Sequence, residues 1–93
     1  MVKHVVMWKF ANPDHAQEAQ NALEGMRGKV MTMESLETGL DFQNGPASYQ
    51  LVLITTHANR EQLDAYQADP DHCAVKKVLG DFPAERVVVD FEI

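Results

Sequence analysis

Val2-Lys-His-Val-Val-Met-Trp-Lys-Phe10 reads as a β-strand, dense in β-branched and aromatic residues, whose two faces are both apolar. Val6 and Trp8 share one face with His4, while Val5 and Met7 occupy the other. The same doubling recurs downstream. In Tyr49–Thr56, Leu51 and Leu53 oppose Val52 and Ile54; in Arg86–Glu92, Val88 opposes Val87, Val89 and Phe91. An antiparallel sheet with one wet face alternates apolar and polar residues. These strands do not alternate, so both faces of their sheet need cover.

The segments between them supply helices. Asn12-Pro13-Asp14 opens the first: Asn12 can accept from free backbone N–H groups, Pro13 suits the first helical position and Asp14 complements the dipole. Ala16, Ala19, Leu23, Met26 and Val30 follow on one helical face, and Gly25 and Gly28 bring the helix to an end near Lys29. Glu34–Phe42 is a weaker strand, with Gly39 as a bulge or close-packing point. Gln43-Asn44-Gly45-Pro46 is turn chemistry. Asn59 caps a short helix through Ala68, with Gln62 three residues on; Asp69-Pro70 opens another helix, closed by Leu79-Gly80. The order β-α-β-β-α(α)-β predicts an α+β fold, a ferredoxin-like antiparallel sheet with helices on one face.

Two or three short helices cover one face only. The other would expose Val5, Met7, Val52, Ile54, Val87, Val89 and Phe91. At roughly 1.5 kcal/mol for each buried side chain, this set represents about 10 kcal/mol. That rivals the net stability of a whole small domain, about 5–15 kcal/mol. A second copy packed sheet to sheet as a twofold homodimer is the simplest cover.

The 93 residues form a single domain, 1–93, with 45% hydrophobic and 24% charged residues as in ordinary globular proteins. A net charge of −6, with only eight Lys and Arg spread along the chain, argues against nucleic-acid and anionic-membrane partners. The apolar N-terminus is interrupted by Lys3 and Lys9 and reads as neither a signal peptide nor a membrane span. Cys73 has no partner for an internal disulfide, which suits the cytoplasm.

Chemistry concentrates in Tyr66-Gln-Ala-Asp-Pro-Asp-His72. His72 falls in the first turn of the helix opened by Asp69-Pro70. The positive end of the dipole disfavours imidazolium there, leaving the neutral ring that a general base requires. His72, Val75 and Leu79 share a helical face, and Tyr66 lies inward with Leu63. If His4, Tyr66 and His72 border one cleft, its floor is Val6, Trp8, Leu51, Leu53 and Val88, an apolar pocket with a few polar groups. The bland reading stands beside it: a helix-start histidine as a packing residue and a half-buried tyrosine as core. His15 and His57 are expected at the surface. The histidines lack close metal-ligand spacing, so no zinc site is expected, and Asp69 or Asp71 leaves a hard cation open. Cys73 follows His72 directly, but adjacent helical residues diverge by about 100°, which argues against a Cys/His pair.

Lys3-His4-Val5-Val6-Met7-Trp8-Lys9-Phe10 resembles the opening strand of the stress-responsive A/B barrel (Dabb) domain. Leu36-Glu37-Thr38-Gly39 and Ser48-Tyr49-Gln50-Leu51-Val52-Leu53 are similar to its second and third strands. Leu63-Asp64-Ala65-Tyr66 with Asp69-Pro70-Asp71-His72 resembles its helical signature, and Val88-Val89-Asp90-Phe91 its closing strand. The resemblance implies a dimeric α/β barrel without a cofactor. A plant polyketide cyclase of this family uses a histidine and a tyrosine as an acid/base pair, matching His72 and Tyr66, and a strand-one histidine matching His4. Its strand-three histidine falls at Leu51 here, which leaves the cleft less polar. The wider superfamily also holds cofactor-free monooxygenases and lactone isomerases. The expected function is therefore binding of a small, largely apolar carbonyl or aromatic compound, with acid/base catalysis by His72 and Tyr66. The alternative is a non-catalytic stress-response or ligand-binding homo-oligomer.

Overall fold

A computed structural model describes every residue, Met1–Ile93. The elements run β1 (Val2–Phe10), α1 (His15–Glu24), β2 (Ser35–Leu40), β3 (Leu51–His57), α2 (Arg60–Ala68), α3 (Pro70–Leu79) and β4 (Ala84–Glu92). The strands make one antiparallel sheet in the order β2-β3-β1-β4. β1 is central and pairs with β4 along its whole length, from Val2 opposite Glu92 to Phe10 opposite Ala84. The split βαββαβ order of the sequence is thus the observed one.

Local chemistry explains where the helices begin. Asn59 Oδ1 accepts from Gln62 N at 2.9 Å, and Asp69 Oδ1 accepts from the N–H groups of Asp71 and His72 at 2.9 and 3.3 Å. Pro70 then occupies the first turn of α3. Asn12 Oδ1 accepts from Asp14 N at 3.0 Å, so it caps the turn leading into α1 and the regular helix starts later, at His15. The same helix stops at Glu24, before the expected Lys29. Successive tight turns follow it, with Gly28 at a φ of 79°. Those turns still carry Met26 and Val30 into the core beside Ala16, Ala19 and Leu23. Gly39 sits in regular pairing with Val52 and forms no bulge.

Core and open face separate by strand parity. Val2, His4, Val6, Trp8 and Phe10 of β1 and Leu51, Leu53, Thr55 and His57 of β3 are buried under the helices. On the opposite face Val5, Val52 and Ile54 are half-buried, while Met7, Val87, Val89 and Phe91 are exposed. β4 is the one strand the helices do not reach. Its inner-face Val88, directly opposite Val6, consequently keeps 39% of its surface exposed. No helix is long and apolar enough to cross a membrane.

Candidate functional site

The missing cover over β4 leaves a cleft of about 630 Å³ between α3 and β4, floored by β1. This volume lies within the range of small-molecule sites, about 300–1,000 Å³. Of the residues expected to form the site, His4, Val6, Trp8, Leu53, His72, Val75 and Leu79 line it. Three do not. Leu51 is buried in the core, opposite Trp8, and Val88 lies farther along the uncovered edge strand. Tyr66 sits behind the wall, fully buried.

Tyr66 instead forms the centre of an aromatic cluster. Its ring stacks on His72 at a centroid distance of 3.9 Å, tilts against His57 at 4.8 Å and meets the edge of His4 at 5.9 Å. Burial holds its phenol well above the usual range, a shift opposed by the charge of Arg86, so the hydroxyl stays protonated. That hydroxyl is buried and has no hydrogen-bond partner. Such a group is costly, on the order of 1–3 kcal/mol.

Each histidine of the cluster has a defined tautomer. A carbonyl oxygen can only accept, so His72 Nδ1–H donates to Tyr66 O at 3.0 Å and Nε2 carries the lone pair with no protein partner. Burial, then the Lys76 charge, lowers the His72 pKa to about 4, against the pull of that hydrogen bond. The neutral ring expected from the helix start is therefore present, with desolvation as its main cause. His4 Nδ1–H donates to the carboxylate of Asp90, its pairing partner on β4. His57 overturns its surface expectation: it is fully buried. Its Nδ1–H donates to Thr32 O at 2.7 Å, while Nε2 accepts from the Thr55 hydroxyl at 2.8 Å, and burial lowers its pKa.

Lys76, Phe82 and Arg86 also line the cleft and Asp90 lies behind His4, none of them expected from the sequence. Their signals were periodic. Lys76 follows His72 by one helical turn, and Arg86 and Asp90 share the strand parity of Val88. Cys73 is exposed and turned away from His72, with its thiol against Gln67 O at 3.7 Å. No group of three or more His, Cys, Asp or Glu is gathered closely enough to hold a metal ion. Asp69, one of the two carboxylates open to a cation, is engaged in capping α3.

An antiparallel ferredoxin-like sheet, helices on one face and a half-open cleft above β1 define an α+β protein of the A/B barrel class. Solved structures of this architecture are described as dimeric ferredoxin-like proteins of unknown function. One from Bacteroides fragilis superposes with a TM-score of 0.82 at 25% identity, covering 99% of this chain and 95% of that one. Another, from Thermobifida fusca, gives 0.85 at 21% identity, over 99% and 90%. A structure described as an antibiotic biosynthesis monooxygenase matches at 0.74 and 17% identity, over 100% and 98%, a likeness of fold. The search of curated proteins gave no significant match. The family model named Stress responsive A/B Barrel Domain matches residues 2–93, and the chain belongs to that family.

Proposed function

We propose that the protein is a homodimer, closed through its open sheet face, that binds a small, largely apolar carbonyl or aromatic compound in the α3–β4 cleft. It acts on that compound by acid/base chemistry through His72 and Tyr66. The observation carrying this reading is the stacked Tyr66–His72 pair, with one imidazole nitrogen committed to a carbonyl and the other left free.

With a pKa of about 4, His72 is unprotonated at neutral pH but weakly basic. It suits substrates whose C–H bond is already acidified, such as a carbon between two carbonyls. Nε2 takes that proton, the C–H electron pair moves into the carbonyl, and the developing enolate oxygen needs a donor. The unpartnered Tyr66 hydroxyl is that donor, preorganised and sheltered from water. Because Tyr66 is fully buried behind His72, a substrate oxygen reaches its hydroxyl only when the His72 and His4 rings part. Asp90 fixes the His4 ring from the far side.

The test is hydrogen exchange at the acidic carbon of a panel of 1,3-dicarbonyl compounds in deuterated buffer. The protein accelerates exchange of at least one, and His72→Ala loses about 100-fold or more while remaining a folded dimer. Equal exchange in that variant rejects the mechanism. The low basicity of His72 and the enclosure of the Tyr66 hydroxyl favour a second reading of ligand binding without turnover. That reading predicts saturable binding, no exchange and tolerance of His72→Gln.

A further inference from the structure

We infer that the compound taken by this cleft carries a carboxylate, held at the cleft mouth by Arg86 and Lys76. The inference rests on the reading of the cleft as a ligand site and adds a chemical class to it.

The protein has fourteen acidic residues against eight Lys and Arg, yet no Asp or Glu lines the cleft, whereas Lys76 and Arg86 both do. Of the three arginines, Arg27 pairs with Glu24 and Arg60 with Glu92; Arg86 alone has no carboxylate partner. Its place opposite Trp8 on the inner face of β4 sets it on the cleft side of the sheet. Lys76 faces it from α3, one turn beyond His72, and its Nζ donates to Gln67 O at 3.1 Å, which ties the ammonium group to the α2–α3 junction. Both charges act on the reacting pair: Lys76 disfavours the His72 imidazolium and Arg86 favours the Tyr66 phenolate.

Between these cations and the histidines the walls are apolar, formed by Val6, Val75, Leu79 and Phe82. An apolar body with an anionic end satisfies both halves. A carboxylate matches the planar fork of one guanidinium in two parallel hydrogen bonds. A phosphate forks onto a guanidinium as well, but it gains most where helix-start N–H groups also donate. Those of α3 are already taken by the Asp69 side chain.

Trp8 is the only tryptophan and lines the cleft, so its fluorescence reports this site. The probes are matched pairs: phenylpropionate, phenylbutyrate and octanoate, each against its uncharged amide, with phenyl phosphate alongside. Each acid that binds does so about tenfold more tightly than its amide. Arg86→Met and Lys76→Met each reduce the preference, and the double variant removes it. Both side chains are exposed, and circular dichroism checks that the variants fold. Equal affinity for acid and amide, or a preference that survives the double variant, overturns the inference and leaves the ligand site standing. Tighter binding of phenyl phosphate overturns the carboxylate assignment. Silence of Trp8 toward every probe overturns the ligand-site reading itself, and the inference with it.

Discussion

Replacing Tyr66 with phenylalanine should stabilise the protein. Tyr66 is 0% exposed, and its hydroxyl has no hydrogen-bond partner. Folding therefore strips water from that group without replacement. Phenylalanine keeps the ring and its contacts with His72, His57 and His4 and removes only the stranded dipole. The desolvation penalty of such a group is about 1–3 kcal/mol, and a small void where the oxygen stood returns part of it. A net gain of about 1–2 kcal/mol remains. At about 2.1 cal/mol/K per residue, a domain of 93 residues unfolds with an entropy of roughly 0.2 kcal/mol/K. The gain then corresponds to a rise in Tm of about 5–10 °C by scanning calorimetry. Wild type and variant are compared at one protein concentration, because dissociation of the proposed dimer would make Tm concentration-dependent. The same variant should lose enolate stabilisation, so stability and activity move in opposite directions, as at sites held in a strained state for function. A lower Tm would refute this reasoning: it would show that the hydroxyl is satisfied in the free protein and is not held open for a ligand.

Acid should weaken the fold through its buried histidines. His72 titrates near 4 when folded and near 6.5 when unfolded, so between those values the unfolded chain binds more protons. Its contribution is whole above pH 6.5 and fades as pH falls toward 4, with about 2 kcal/mol lost between pH 7.5 and pH 5; His57 is shifted the same way. Urea denaturation at the two pH values measures it, and a slope unchanged in His72→Gln would show that His72 is not the titrating group. On the open face, Val89 is 60% exposed in the single protomer. Val89→Asp should give a folded monomer by light scattering at micromolar concentration, and a dimer that persists would place the interface elsewhere.

The fold was legible because period-two patterning and capping chemistry are local. Val2–Phe10, the Asn59 and Asp69 caps and Pro70 each act over a few residues, and the structure keeps them all. The site was legible where the periodicity of each element points inward, as in His4, Val6 and Trp8 of β1 and the His72, Val75 and Leu79 face of α3. What failed depended on distance in space. His57, beyond the expected strand end at Thr56, is expected at the surface, but it continues the inward parity of Leu51, Leu53 and Thr55 and is buried against Tyr66. Tyr66 shared the inward face with Leu63, but the sequence does not say that α3 folds over it and puts His72 between it and the cleft. Val88 has the right parity for the floor, but no periodicity reveals how far sideways the helices extend over a sheet.

That sideways limit ties the proposed dimer to the proposed chemistry. β4 is held in the protomer through its pairing with β1, and no helix packs on it. Its inner face carries Arg86 to the cleft and sets Asp90 behind His4, while its outer face presents Val87, Val89 and Phe91. Burying the outer face against a second copy would clamp the strand that aims Arg86 and seats His4. An unsupported edge strand has few contacts with which to hold a guanidinium in a bidentate geometry. The monomeric Val89→Asp protein should therefore bind a carboxylate probe more weakly than the dimer, although Val89 points away from the cleft. If the monomer bound as tightly as the dimer, assembly would serve only to hide the apolar face, and the site would belong to the protomer alone.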